Sequence, residues 1–252
     1  MSIMKSAVFA FFLSFLCLAA SAEDAASLIS KGDAFDKQLK TSDALAAYLE
    51  AEKQTPKDAD LLCKIAKQYG LSMDDVTGAD AMRERAQKSL EYAKKAAAVD
   101  ANNALAQLSL AIAYGRLAPL LDNKTKIAYS KLVKEHGERA LQLDPNNYLT
   151  SHVLGAWNYE LANLNPVLRV IASAIYGTLP SASNEQAVEY FKKSIALNPN
   201  GVASHVELGR TYLAMSQKSQ AATELKKAIS LPSKEKDDEY CKRQAREVLA
   251  KL

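Results

Sequence analysis

Residues 206–232 read Val-Glu-Leu-Gly-Arg-Thr-Tyr-Leu-Ala-Met-Ser-Gln-Lys-Ser-Gln-Ala-Ala-Thr-Glu-Leu-Lys-Lys-Ala-Ile-Ser-Leu-Pro, and this stretch decides the fold. Leu208-Gly209 and Tyr212 mark a first helical run, and Ala221, Leu225 and Ala228 recur at helical spacing on a second. Pro232 stops the pattern. Small residues at such positions let two helices approach closely, and large ones fill the space between them. The same order appears near the start of the chain, in Gly32, Phe35, Ala44, Tyr48, Ala51 and Pro56. It appears again in Leu154-Gly155, Ala187, Phe191 and Pro199, with residues 161–179 inserted between the two helices. Two weaker copies start from Ile65-Ala66-Tyr69 and Leu110-Ala111-Tyr114, and periodicity places their second helices near 81–99 and 125–143.

Loop signatures punctuate these copies: Val99-Asp100-Ala101-Asn102-Asn103, Leu143-Asp144-Pro145-Asn146-Asn147, Leu197-Asn198-Pro199-Asn200, and an earlier Thr55-Pro56-Lys57-Asp58. The pattern resembles the tetratricopeptide unit, whose plain form repeats every 34 residues or so. The loops here stand 44 and then 54 residues apart, so extra residues lie inside the units. The expected fold class is all-α, a tetratricopeptide-like α-solenoid over residues 23–252, with helix pairs stacked in a right-handed superhelix. Five pairs are expected, plus a C-terminal capping helix. Ser233 is the expected N-cap of that last helix, with Tyr240, Ala245, Val248 and Leu252 as its apolar face.

Composition agrees. Hydrophobic residues are 48% and charged ones 24% of the 252, which excludes long disorder. Only nine Gly and seven Pro argue against a sandwich or barrel, which needs many turns. Residues 1–22 carry a positive Lys5, an apolar run over 7–20 and a small-x-small Ala20-Ser21-Ala22, the pattern of a cleaved signal peptide. The expected localisation is therefore export, to a periplasm or a secretory lumen. Removing Lys5 lowers the formal charge of +3 by one, too weak a balance for a nucleic-acid binder. Cys63 and Cys241 sit near opposite ends of a solenoid and read as buried thiols rather than a disulfide.

A more specific likeness lies in 151–183, which reads Ser-His-Val-Leu-Gly-Ala-Trp-Asn-Tyr-Glu-Leu-Ala, continues through an Ala-containing insertion, and ends in Pro180-Ser181-Ala182-Ser183. This resembles the regulator of microtubule dynamics family, with its His-x-Leu-Gly-x-Trp-x-Tyr helix, inserted helix and Pro-x-Ala-(Thr/Ser) turn. The resemblance spans roughly residues 25–251 and implies a helical domain that works by association.

On the tetratricopeptide pattern the first-helix positions facing an inner groove are Lys67, Leu105, Leu108, Ile112, Arg116, His152, Tyr159, Val206 and Arg210. Arg116 and Arg210 suit a carboxylate or phosphate, or simply pair with glutamates across the groove. His152 and His205 either contact a ligand or are held by local hydrogen bonds, and His136 reads as a solvated surface residue. Trp157 and Phe191 read as packing residues. Within 161–179, Val167, Leu168, Ile171 and Ile175 form an apolar stripe that either packs against the fourth unit or lines a lipid-sized pocket. There is no phosphate loop, His-Glu-x-x-His, paired-cysteine spacing or nucleophile elbow, so no enzyme, cofactor or metal is expected.

Three functions follow. The first is a non-enzymatic scaffold whose concave face holds a protein or peptide. The second is a lipid carrier that uses the groove and the 161–179 helix. The third retains the N-terminal segment as a membrane anchor beside microtubules. No nucleic acid is expected as a partner.

Overall fold

The computed structural model describes residues 23–252, and among them helices follow one another with no strand. Five pairs form the body: α1 (Ala25–Lys37) with α2 (Thr41–Glu52), α3 (Ala59–Leu71) with α4 (Ala79–Val99), α5 (Ala104–Leu117) with α6 (Asn123–Leu143), then, beyond α7 (Tyr148–Ala162) and the inserted α8 (Pro166–Tyr176), α7 with α9 (Asn184–Leu197), and α10 (Val202–Ala214) with α11 (Lys218–Ser230). Successive pairs join through α2 on α3, α4 on α5, α6 on α7 and α9 on α10, and α12 (Asp238–Leu249) closes the array against α10 and α11. The fold is the expected all-α tetratricopeptide-like solenoid.

The sequence starts its helices where side chains replace missing hydrogen-bond partners. Asp24, Asp58, Asn103, Asp122, Asn147, Asn165 and Ser183 each accept from a backbone N–H two or three residues ahead. Each such cap contributes about 1 kcal/mol. In the repeated loops the aspartate shapes the turn as well: the amides of Asn102 and Asn146 donate to Asp100 and Asp144 at 2.8 and 3.1 Å. The turns closing the first helices of units one and five put Leu39 and Ser216 at φ of 60° and 61°.

Close approach of paired helices rests on glycine facing a large side chain. A β-carbon at Gly32 would run into the Tyr48 ring, and one at Gly209 would lie 2.8 Å from Leu225. One apolar cluster runs from Leu28 to Leu161, a second gathers Ala187, Phe191, Leu208, Tyr212 and Ala221, and a third joins Val202, Val206, Leu225 and Ala245. Burying one such large side chain contributes about 1.5–3 kcal/mol. Among the described residues both thiols are free: Cys63 is buried, Cys241 half-buried, and burial raises their pKa values to about 11 and about 12.

Three local expectations are corrected. The last helix begins at Asp238, because the Asp238 carboxylate accepts from the amides of Lys234 and Glu235 at 2.7 and 2.8 Å and holds 233–237 as a loop. Its packed face is Cys241, Ala245, Val248 and Leu249, while Tyr240 and Leu252 are exposed. His136 is half-buried rather than a free surface residue: it stacks on Tyr114 with ring centroids 5.8 Å apart, hydrogen-bonds Gln107 at 2.8 Å, and burial lowers its pKa.

Candidate functional site

Helices of units two to five, with the loop before α12, line an open cavity of about 740 Å³. Its walls are largely apolar, with Ile112, Ile127, Val133, Leu149, Val153, Trp157, Leu161 and Leu164 among them, and the charged lining residues Lys67, Arg116 and Asp237 are part-exposed at its mouth. A cavity of that size with an apolar interior and few polar groups is the usual form of a binding site.

Four of the nine expected groove residues line it: Lys67, Ile112, Arg116 and His152. Lys67 also pairs with Asp36 at 2.7 Å. The Arg116 guanidinium donates to the Gly70 carbonyl at 3.0 Å and stands 3.7 Å from the Asp237 carboxylate. His152 opens onto the cavity rather than to bulk water, hydrogen-bonds Ser204 at 3.0 Å, and meets Phe191 edge to face. Desolvation there lowers its pKa to about 4, so the ring is neutral at pH 7.

The other five lie elsewhere. Leu105 shares the stripe of Ile112 and Arg116 but sits beyond the cavity, exposed. Leu108, at the edge of that stripe, turns into the core and is 4% exposed. Val206 is core as well, packed with Val202 and Leu225. Tyr159 and Arg210 stack on each other, the guanidinium carbon 5.3 Å from the ring centroid, and Arg210 donates to both carboxylate oxygens of Glu207 at 2.8 and 3.1 Å. His205 is buried against Glu224 at 2.7 Å.

None of Val167, Leu168, Ile171 and Ile175 lines the cavity. Their helix, α8, packs on α6, the second helix of the preceding unit, and leaves Val167 and Val170 65% and 70% exposed. Residues missed by the sequence reading include Tyr148, Glu160, Glu235, Asp237 and Asp238. The last three belong to the loop before α12 and its junction with that helix, which fold back over the inner face, and no periodic signal marks such a contact. Among the described residues no helix is long and apolar enough to cross a membrane, and no cluster of three or more His, Cys, Asp or Glu could hold a metal.

The sequence profile of the family described as regulator of microtubule dynamics protein 1-3 matches residues 28–252. The chain belongs to this family. Regulator of microtubule dynamics protein 1 of Bos taurus is 31% identical over 211 residues, which cover 81% of this chain and 64% of the bovine one. The Caenorhabditis elegans protein of the same name is 27% identical, over 75% of this chain and 85% of its own. Among solved structures, a thermophilic TPR protein of Thermus thermophilus superposes with a TM-score of 0.64 over 88% of this chain and 98% of that one. At 17% identity that likeness concerns the fold alone.

Membership in the regulator of microtubule dynamics family corrects the expected localisation. The relatives are named for microtubule dynamics, and microtubules are cytoplasmic polymers that an exported protein does not meet. Residues 1–22, on which the export and signal-peptide reading rested, lie outside the described residues.

Proposed function

We propose that this chain is a non-catalytic scaffold that seats a segment of a protein partner in its inner cavity. The observation that carries the reading is the 740 Å³ space, to which helices of four successive units and the loop before α12 contribute side chains. Its apolar interior offers burial energy, and its charged mouth offers orientation. Because the relatives carry the name of microtubule dynamics, polymerised tubulin is the first partner to test.

The experiment is co-sedimentation of the purified full chain with microtubules, wild type against Ile112→Glu. Ile112 lines the cavity and is only half-buried, so the variant keeps its helical circular dichroism while placing a carboxylate in an apolar wall. The expected result is loss of about tenfold or more in affinity, because the wall loses an apolar contact and the new carboxylate, one helical turn from Arg116, competes for that cation. A folded variant that pellets with microtubules as well as wild type does would overturn the reading.

A further inference from the structure

The loop 231–237 lines the cavity through Glu235 and Asp237 and runs from the fifth unit toward the first two as a strap. The Lys236 ammonium reaches the Asp75 carboxylate at 2.5 Å and the Thr41 hydroxyl at 3.0 Å, so the strap ties the fifth unit to the first two. Asp237 faces Arg116 at 3.7 Å, and Asp238 folds back onto the strap's own amides. Glu235 lies within the field of Lys67, which opposes the rise in its pKa caused by desolvation.

The charges around the cavity divide by origin. Lys67, Arg116 and Lys126 come from the helices, along with one carboxylate, Glu160. Every other carboxylate lining the cavity, Glu235, Asp237 and Asp238, comes from the strap or from the first residue after it. Without the strap the mouth is cationic. With it, the cations face the carboxylates of Glu235, Asp237 and Asp238, while the strap's own Lys234 and Lys236 lie outside the cavity lining and Lys236 turns to Asp75 and Thr41.

We propose that this mouth is a seat for an acidic peptide segment of a partner, and that the strap occupies the seat until such a segment displaces it. The proposal rests on the scaffold reading above and names the chemistry of the occupant. Displacement is feasible because the clasp is built from partly exposed ion pairs: Arg116 and Asp237 are 30% and 37% exposed, Lys236 and Asp75 17% and 43%. Such pairs contribute only about 0–1 kcal/mol each. A tethered competitor nevertheless acts at high effective concentration, so removing it raises the apparent affinity for the free segment.

The test is fluorescence anisotropy with a fluorescein-labelled peptide of ten glutamates, titrated with the full chain. Wild type is compared with Lys236→Ala/Asp237→Ala, which releases both ends of the clasp. The released variant is expected to bind about tenfold or more tightly. Added salt should weaken that binding, as should Lys126→Glu in the released background. Equal affinity of wild type and a folded released variant overturns the proposal, and so does indifference to Lys126→Glu.

Hydrogen exchange on the wild-type chain needs no substitution and decides the matter if the variant loses helicity. Saturating peptide should speed exchange at the amides of Lys234 and Glu235, and unchanged exchange there overturns the proposal. Phosphatidylserine vesicles that expose the strap where the glutamate peptide does not would also overturn it, in favour of a lipid surface. Failure here with Ile112-dependent microtubule binding intact removes the acidic seat and leaves the scaffold; loss of the latter alone removes the microtubule partner.

Discussion

The ring of Phe191 lies so close to the backbone of Gly155 that a β-carbon there would stand 2.9 Å from its Cδ1 and Cε1. Phe191 is fully buried, so the ring has no free direction in which to retreat. Gly155→Ala should therefore destabilise the chain by about 1–3 kcal/mol, the usual cost of overpacking a filled interior. Urea denaturation followed by circular dichroism measures it. Adding Phe191→Leu should recover part of the loss, since the smaller side chain makes room for the methyl. A Gly155→Ala chain as stable as wild type would mean that the helices part at no cost.

That contact also shows what was readable in advance. Gly32, Gly155 and Gly209 and their partners Tyr48, Phe191 and Leu225 were visible because the same order of small and large residues at helical spacing recurs in units one, four and five. The loops that end in Asn103 and Asn147 were visible for the same reason, as repeated local chemistry, whereas the capping role of those two asparagines emerges only in the structure. The cavity was legible only in part: a stripe drawn along a helix does not say where curvature brings neighbouring helices together, so Leu105 fell outside it and Leu108 and Val206 fell into the core. The strap was invisible. Its contacts join Lys236 to Asp75 and Thr41, separated by 161 and 195 residues, and such a pairing leaves no periodic trace.

Arg210 is bound to its own helix neighbour Glu207, which burial pushes above the usual carboxylate range while the guanidinium pulls it down. Arg210→Met should leave that carboxylate unpaired in a poorly hydrated place, at a cost of about 2 kcal/mol. The sign with pH is defined. A carboxyl whose folded pKa is raised holds its proton more tightly when folded, so stability falls as pH rises above the ordinary 4.5 toward the folded value. Losing Arg210 raises that folded value further. The deficit of Arg210→Met should therefore be larger at pH 8 than at pH 4, and Glu207→Gln should cancel the difference. Thermal unfolding of the three variants at both pH values checks it.

His152 titrates in the opposite sense. Its folded pKa of about 4 lies below the ordinary 6.5, so over that interval the unfolded chain binds the extra proton. Stability should drop as pH falls from about 6.5 toward about 4, by on the order of 2 kcal/mol once water reaching the ring through the cavity is allowed for. His152→Gln keeps a polar group near the Ser204 hydroxyl and has no proton to gain. Its unfolding free energy should lose less than wild type between pH 7 and pH 4.5; parallel curves would mean the ring is already hydrated.

Trp157 gives the cavity its own reporter. It is the single tryptophan of the chain, it lines the cavity, and its indole N–H donates to the Ser130 carbonyl at 2.9 Å and hydroxyl at 3.1 Å. The ring is 7% exposed, and part of its surround is the cavity space itself. A guest filling that space excludes water and collisional quenchers from the indole. Saturation with a bound partner segment should shift tryptophan emission to the blue and lower the acrylamide quenching constant. Ile112→Glu should abolish the change together with the binding. Binding that persists with emission and quenching untouched would place the partner on another face of the solenoid, since the indole borders this space on one side and the Lys134 side on the other.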